Sequence, residues 1–156
     1  MLNLHKAIVT SLGAGYAPFA PGTAGAAVGV FVIVLLNQIS ALQNEPTSMF
    51  YTLLGLTIFF CVLGAYSTDQ LEHLWGKDPS RVVIDETIGV WIGMFGLPIT
   101  WQWLLAAFVL FRFFDIAKPL GIRKLEAIPG GWGVMLDDVL AGIYTLIVLQ
   151  VAYHYL

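Results

Sequence analysis

Three stretches of this chain are apolar for long enough to cross a lipid bilayer, which constrains its fold more than any other feature. A spanning helix needs about 20 mostly apolar residues. The candidates are about 23–40 (TAGAAVGVFVIVLLNQIS), about 49–66 (MFYTLLGLTIFFCVLGAY) and about 137–156. The last begins at an acidic pair and ends in AYHYL, where Tyr153 and Tyr155 suit an interfacial belt. The chain is 58% hydrophobic and 11% charged, whereas soluble domains carry about a quarter charged residues. Its 156 residues suit a single domain over 1–156. The expected fold class is all-α: a multihelical membrane bundle with about three spanning helices. The competing reading is a soluble helical domain, or an oligomer, that hides an unusually apolar core.

The stretch 86–114 is also apolar, but MFGLPITW places Gly96 and Pro98 in its middle, where a helix breaks. It is either one kinked span or a re-entrant helical hairpin. Charge separates the two. The seven cations are Lys6, then Lys77 and Arg81, then Arg112, Lys118, Arg123 and Lys124. The loop 41–48 has none, so positive-inside reasoning puts it outside. A hairpin leaves all seven cations in the cytoplasm; a single crossing strands four of them outside. The hairpin is therefore expected, with the C-terminus outside. Of the ten acids only Glu45 then lies on the outer face.

Other classes fall away. A net charge of −3 does not suggest nucleic acid. One cysteine, Cys61, excludes an internal disulfide and reads as packing. His5, His73 and His154 lack ligand spacing, so zinc is not expected. The N-terminal MLNLHKAIVTSLGAGYAPFAPG lacks the apolar core of a signal peptide.

The acids that remain border apolar segments: Asp85, Glu86, Asp115, Asp137 and Asp138. Ionisable groups in such places are candidates for function. Carboxylate oxygens suit a hard divalent cation, and Mg²⁺ fills its other positions with water and substrate phosphate. The expected metal set is Asp85, Glu86, Asp137 and Asp138. Helix capping by the same acids is the structural alternative. IDETIG and LDDVLAG each place a glycine four residues after an acid, on the same helix face, where a partner can approach closely.

Cations cluster in FRFFDIAKPLGIRKLEAIPGGWG, 111–133. Arg112 and Asp115 share a helix face, and Lys118 precedes Pro119, where that helix should end. Cations beside metal-binding acids suit a bound phosphate. Arg123 and Lys124 read equally as a surface loop. In GAGYAPFAPGTAG, Thr23 is a candidate N-cap at a helix start, a place where backbone N–H groups bind anions. In GKDPSRVVIDE, Asp78-Pro79-Ser80 reads as a turn and cap.

Together APGTAG, VVIDETIG, RFFDIAKPLGI and PGGWGVMLDDVLAG resemble the phosphatidylglycerophosphatase A family, bacterial Mg²⁺-dependent lipid phosphatases, over about 13–142. Gly121 stands where a proline is expected in KPxPI, and Ala26 where serine is usual after GTxG. The resemblance implies a multihelical fold and hydrolysis of the terminal phosphomonoester of phosphatidylglycerol phosphate. It assigns the motif acids to Asp85, Glu86, Asp115, Asp137 and Asp138, and the basic positions to Arg112 and Lys118. Catalysis is then expected of Asp115, Arg112, Lys118 and Asp138. Substrate binding falls to Thr23, Arg112, Lys118 and Arg123, with Mg²⁺ as cofactor. The partners are a lipid phosphate and the bacterial inner membrane, with the site facing the cytoplasm. The alternative is a small ion or proton transporter that uses the membrane-bordering acids; a non-catalytic helical subunit is a third reading.

The topology makes a prediction. Single cysteines at Asn44 (Asn44→Cys) and Gly76 (Gly76→Cys) in a Cys61→Ala background react with an impermeant thiol reagent from opposite sides of a sealed vesicle. Labelling of both from one side rules the topology out.

Overall fold

The computed structural model describes residues 2–39, 46–77 and 79–155, so Asn44, Glu45 and Asp78 lie outside the described residues. The described residues are helical with no strand: α1 (Leu2–Val9), α2 (Pro21–Asn37), α3 (Pro46–Trp75), α4 (Ile84–Gly93), α5 (Trp101–Ala117), the short α6 (Ile122–Leu125) and α7 (Gly131–Tyr155).

Breakers in the sequence set most of these boundaries. Pro21 takes the first position of α2, where its missing N–H costs nothing. Gly96, at φ 73°, and Pro98 separate α4 from α5. Lys118 caps α5 in the left-handed region just before Pro119. The segment 86–114 is thus two antiparallel helices: Arg112 on α5 approaches Glu86 on α4, and Phe111 closes over Gly89. Both polar ends of the hairpin face the same way.

Two helices, α3 and α7, are long and apolar enough to cross a membrane. The third expected span, α2, is apolar and shorter, at the low end of the length that crosses a bilayer. With 17 residues α2 is about 25 Å long, against a hydrocarbon layer of about 30 Å. The outward faces carry Ile58, Phe59 and Val62 on α3, Leu105, Val109 and Phe113 on α5, and Ile147 and Val151 on α7, each more than half exposed. Exposed apolar surface on this scale marks contact with lipid or a partner.

Buried α4 is the axis of the bundle, packed against α2, α3, α5 and α7. It is apolar on nearly every side, as a helix with no solvent face must be. Against α2 the seam runs through Gly25 and Gly29, where an added Cβ would lie 2.6 Å from Val83 O and 2.8 Å from Thr87 O. Trp91 Nε1 donates across this seam to Gly29 O at 3.1 Å. Against α7 the helices run parallel and nearly in register: Asp85 beside Asp138, Gly89 beside Gly142, Gly93 beside Thr145. The acid-then-glycine spacing of the two motifs thus produces one shared crossing.

The chain's polar chemistry gathers at one end. Lys6 and Arg81 stack on Trp75 at the end of α3, and Lys77 lines a cavity with Gly130. Arg112 and Lys118 end α5, and α6 carries Arg123 and Lys124. At the far end Gln150 donates to Phe95 O at 2.7 Å, and the ring of Trp103 packs against Tyr153.

A Cβ on Gly142 would sit 2.7 Å from Gly89 O, backbone that cannot swing aside. Gly142→Ala should therefore destabilise the protein by about 1–3 kcal/mol. Gly55→Ala, whose Cβ meets nothing within 4 Å, should be neutral or slightly stabilising. Thermal unfolding in detergent distinguishes the two; equal melting temperatures would contradict this crossing.

Candidate active site

Asp85 and Glu86 lie in the first turn of α4, where free N–H groups and the helix dipole favour negative charge. Asp85 Oδ1 accepts from the Glu86 N–H at 3.1 Å. The N-cap is Val83, without a side-chain cap, so Ser80 does not cap this helix. The second acidic pair has a different setting from the expected one. α7 begins at Gly131, six residues before Asp137, so Asp137 and Asp138 lie two turns inside the helix. Its N-terminus is served instead by Asp69, whose Oδ1 accepts from Gly131 N–H at 2.6 Å. Capping therefore does not account for Asp137 and Asp138.

The α4–α7 crossing brings carboxylate oxygens of Asp85, Glu86 and Asp138 within 4.8 Å of one another. Asp85 is 7% exposed and Asp138 3%. Burial, then repulsion from Glu86, holds the Asp85 carboxyl well above the usual carboxylate range. Arg112 approaches from α5, its Nη1 3.9 Å from Glu86 and paired with Asp115 one turn on. Two buried polar atoms here have no hydrogen-bond partner, Glu86 Oε2 and Arg112 Nε. A buried oxygen with no donor, among acids outnumbering the adjacent cation, fits an oxygen-coordinated divalent ion such as Mg²⁺.

Asp137 points away from this trio. About 100° around α7 from Asp138, it accepts from Lys118 Nζ at 2.5 Å, and Glu126 accepts from the same ammonium at 2.7 Å. Burial alone would lower the Lys118 pKa, but its hydrogen bonds with Asp137 and Glu126 outweigh it and push the value up, so the amine stays charged. Beside this pair a cavity of about 240 Å³ is lined by Lys77, Glu126, Gly130, Gly133 and Asp137, among others.

Thr23 is the third residue of α2 rather than its cap. The N-cap is Ala20, in the left-handed region, with no side-chain hydrogen bond. The first turn of α2 nevertheless reaches the acids: a Cβ on Gly22 would run into the Glu86 carboxylate and lie 2.9 Å from Arg112 Nη1. Arg123 is exposed on α6 and forms no hydrogen bond or ion pair with the described residues. Asp69, Lys77 and Glu126 were not among the expected site residues. Asp69 and Glu126 act through contacts distant in the chain or across a loop, and Lys77 lines the cavity with residues far along the chain; no local spacing marks any of them.

The Phosphatidylglycerophosphatase A family matches residues 7–153, nearly the full length. The chain belongs to the phosphatidylglycerophosphatase A family. Among its relatives is a protein of Bacteroides thetaiotaomicron, provisionally described as a phosphatidylinositol-3-phosphatase. It is 47% identical over 93% of this chain and 91% of its own length. The phosphatidylglycerophosphatase A of Haemophilus influenzae is 38% identical over 96% of this chain and 88% of its own. That of Escherichia coli is 32% identical over 99% and 87%. No solved structure matches this chain. Within the family frame, all four motifs meet at one end of the bundle.

The raised Asp85 pKa carries a sign. A carboxyl that binds its proton more tightly when folded destabilises the fold as pH rises above about 4, its unfolded value. In chelator, thermal stability should fall as pH rises from about 4, and Asp85→Asn should flatten that slope. An unchanged slope in the variant would refute the assignment.

Proposed function

We propose that this chain hydrolyses the terminal phosphomonoester of phosphatidylglycerol phosphate, releasing phosphate and phosphatidylglycerol. The observation that carries this is the buried Asp85–Glu86–Asp138 trio beside Arg112, at the polar end of an apolar bundle. Family membership supports the reaction class, and the two relatives named phosphatidylglycerophosphatase A support the substrate.

Asp85, Glu86 and Asp138 would hold Mg²⁺, which when bound neutralises phosphoryl oxygens and acidifies water. Arg112 donates to the phosphoryl oxygens as their charge grows, a contact strongest in the transition state. Asp115 and Glu86 fix the guanidinium for that task. Thr23 and the first N–H groups of α2 bind the phosphate beside Gly22. Lys118 adds positive charge at the rim, and Asp137 and Glu126 hold it there rather than let it extend into water. The reaction forms a bond from water oxygen to phosphorus and breaks the ester bond to glycerol. Asp138 and Asp115 are the carboxyls suited to take the water proton and return one to the leaving alkoxide.

We place α2, α3 and α7 across the bacterial inner membrane, with the α4–α5 hairpin entering and returning. The gathering of the seven cations at the active end supports a cytoplasmic site. The transporter reading lacks support: no acid occurs in 139–156, so nothing carries a cation onward along α7. The Bacteroides relative motivates a second lipid, a phosphatidylinositol phosphate.

Phosphate release by the purified protein tests the proposal. EDTA should abolish it and Mg²⁺ restore it. Asp138→Asn and Arg112→Ala should each lower kcat by about 10²–10³-fold. Rates on phosphatidylglycerol phosphate, phosphatidylinositol 3-phosphate and glycerol 3-phosphate rank the substrates. Full activity in EDTA or in Asp138→Asn would overturn the mechanism.

A further inference from the structure

An apolar groove of about 320 Å³ runs between α2 and α5, lined by Ala27, Val30, Trp101, Leu104, Leu105 and Phe108. Helical spacing relates it to the active site. On α2, Thr23, Ala27 and Val30 share one face, at i, i+4 and i+7. On α5, Trp101, Leu105, Phe108 and Arg112 share another, so Arg112 stands one turn above Phe108. The two helices meet at the top, where Gly22 backs directly onto Arg112 Nη1. The groove is therefore polar at its head and apolar along its length. From Arg112 to Trp101 is 11 residues, about 16 Å of helix. That is about half of a 30 Å hydrocarbon layer, the depth of one leaflet.

We propose that this groove holds one acyl chain of the lipid substrate, guiding its headgroup phosphate to Arg112 and the acidic trio. The inference rests on the lipid-phosphatase reading and deepens it by assigning the chain-binding surface. A polar head above an apolar trough, the two together as deep as one leaflet, matches a phospholipid rather than a protein segment. Ala27 lines the trough, exposed and small, one turn below Thr23, so a large side chain there would fill space in the trough and leave the acids in place.

Ala27→Trp should lower kcat/KM for a long-chain lipid phosphate about tenfold, the worth of roughly two buried methylenes. Its rate on a dihexanoyl analogue with the same headgroup should stay within about twofold. Ile58→Trp, on the outward face of α3, should change neither. A long-to-short rate ratio unchanged by Ala27→Trp, or shifted as far by Ile58→Trp, would overturn the proposal while leaving the phosphatase reading intact. Wild-type protein that cleaves neither lipid would overturn both. A second measurement needs no variant: a substrate analogue with a mid-chain diazirine should cross-link to α2 and α5 peptides. Equal labelling of the outward face of α3 would refute the groove.

Discussion

Three carboxylates held within 4.8 Å of one another, two of them more than nine-tenths buried, form the constraint to which the rest of this molecule answers. Such a cluster resists its own assembly: each charge loses hydration and gains repulsion. The fold imposes the arrangement through backbone contact that side chains cannot relax. Because Gly89 and Gly142 let α4 and α7 touch, the acids one turn before each glycine have nowhere else to go. The free energy for this comes from the surrounding apolar packing, and the result is a site short of positive charge. An anionic substrate needs that shortfall filled, which the proposed divalent ion on this donor set would do.

The cations are distributed to complement this deficit without cancelling it. Arg112 is tied to Asp115 and reaches Glu86, leaving Nε buried and unpartnered. Lys118 is bound to Asp137 and Glu126, on a different side of α7 from the trio. Had Lys118 paired with Asp138, the trio would have been neutralised internally, with little call for an external cation. The two aspartates of one dipeptide thus serve separate ends because a helix turns about 100° per residue.

Much of this was legible in the chain. The Gly96–Pro98 break and the cation count together favour a hairpin over a single crossing, and the structure forms one. The spacing from Asp85 to Gly89 and from Asp138 to Gly142 points to close approach, and the two motifs approach each other. Helix ends were less legible. Hydropathy locates where a helix is apolar, not where its hydrogen bonds begin, so α7 gains two turns before its acids and α3 extends to Trp75. Thr23 offered a cap, but Pro21 nucleates α2 two residues earlier. Asp69, the group that serves the start of α7, lies 62 residues from Gly131, a distance that no local pattern spans.

What the sequence determined by itself is the material and its polarity. It dictates apolar helices, their breaks at glycine and proline, and acids and cations confined to segments that a hairpin returns to one side. These follow from local hydrogen bonding and from partition between water and apolar surroundings, which depend on short windows of residues. The tertiary structure alone decided the partners: Asp138 with Asp85 and Glu86, Asp137 with Lys118, and an apolar trough between α2 and α5 leading to Arg112. Partner choice depends on the rotation and register of packed helices. Those are set by many weak contacts at once, and a single residue's turn of about 100° separates a proposed metal ligand from a lysine's counter-ion.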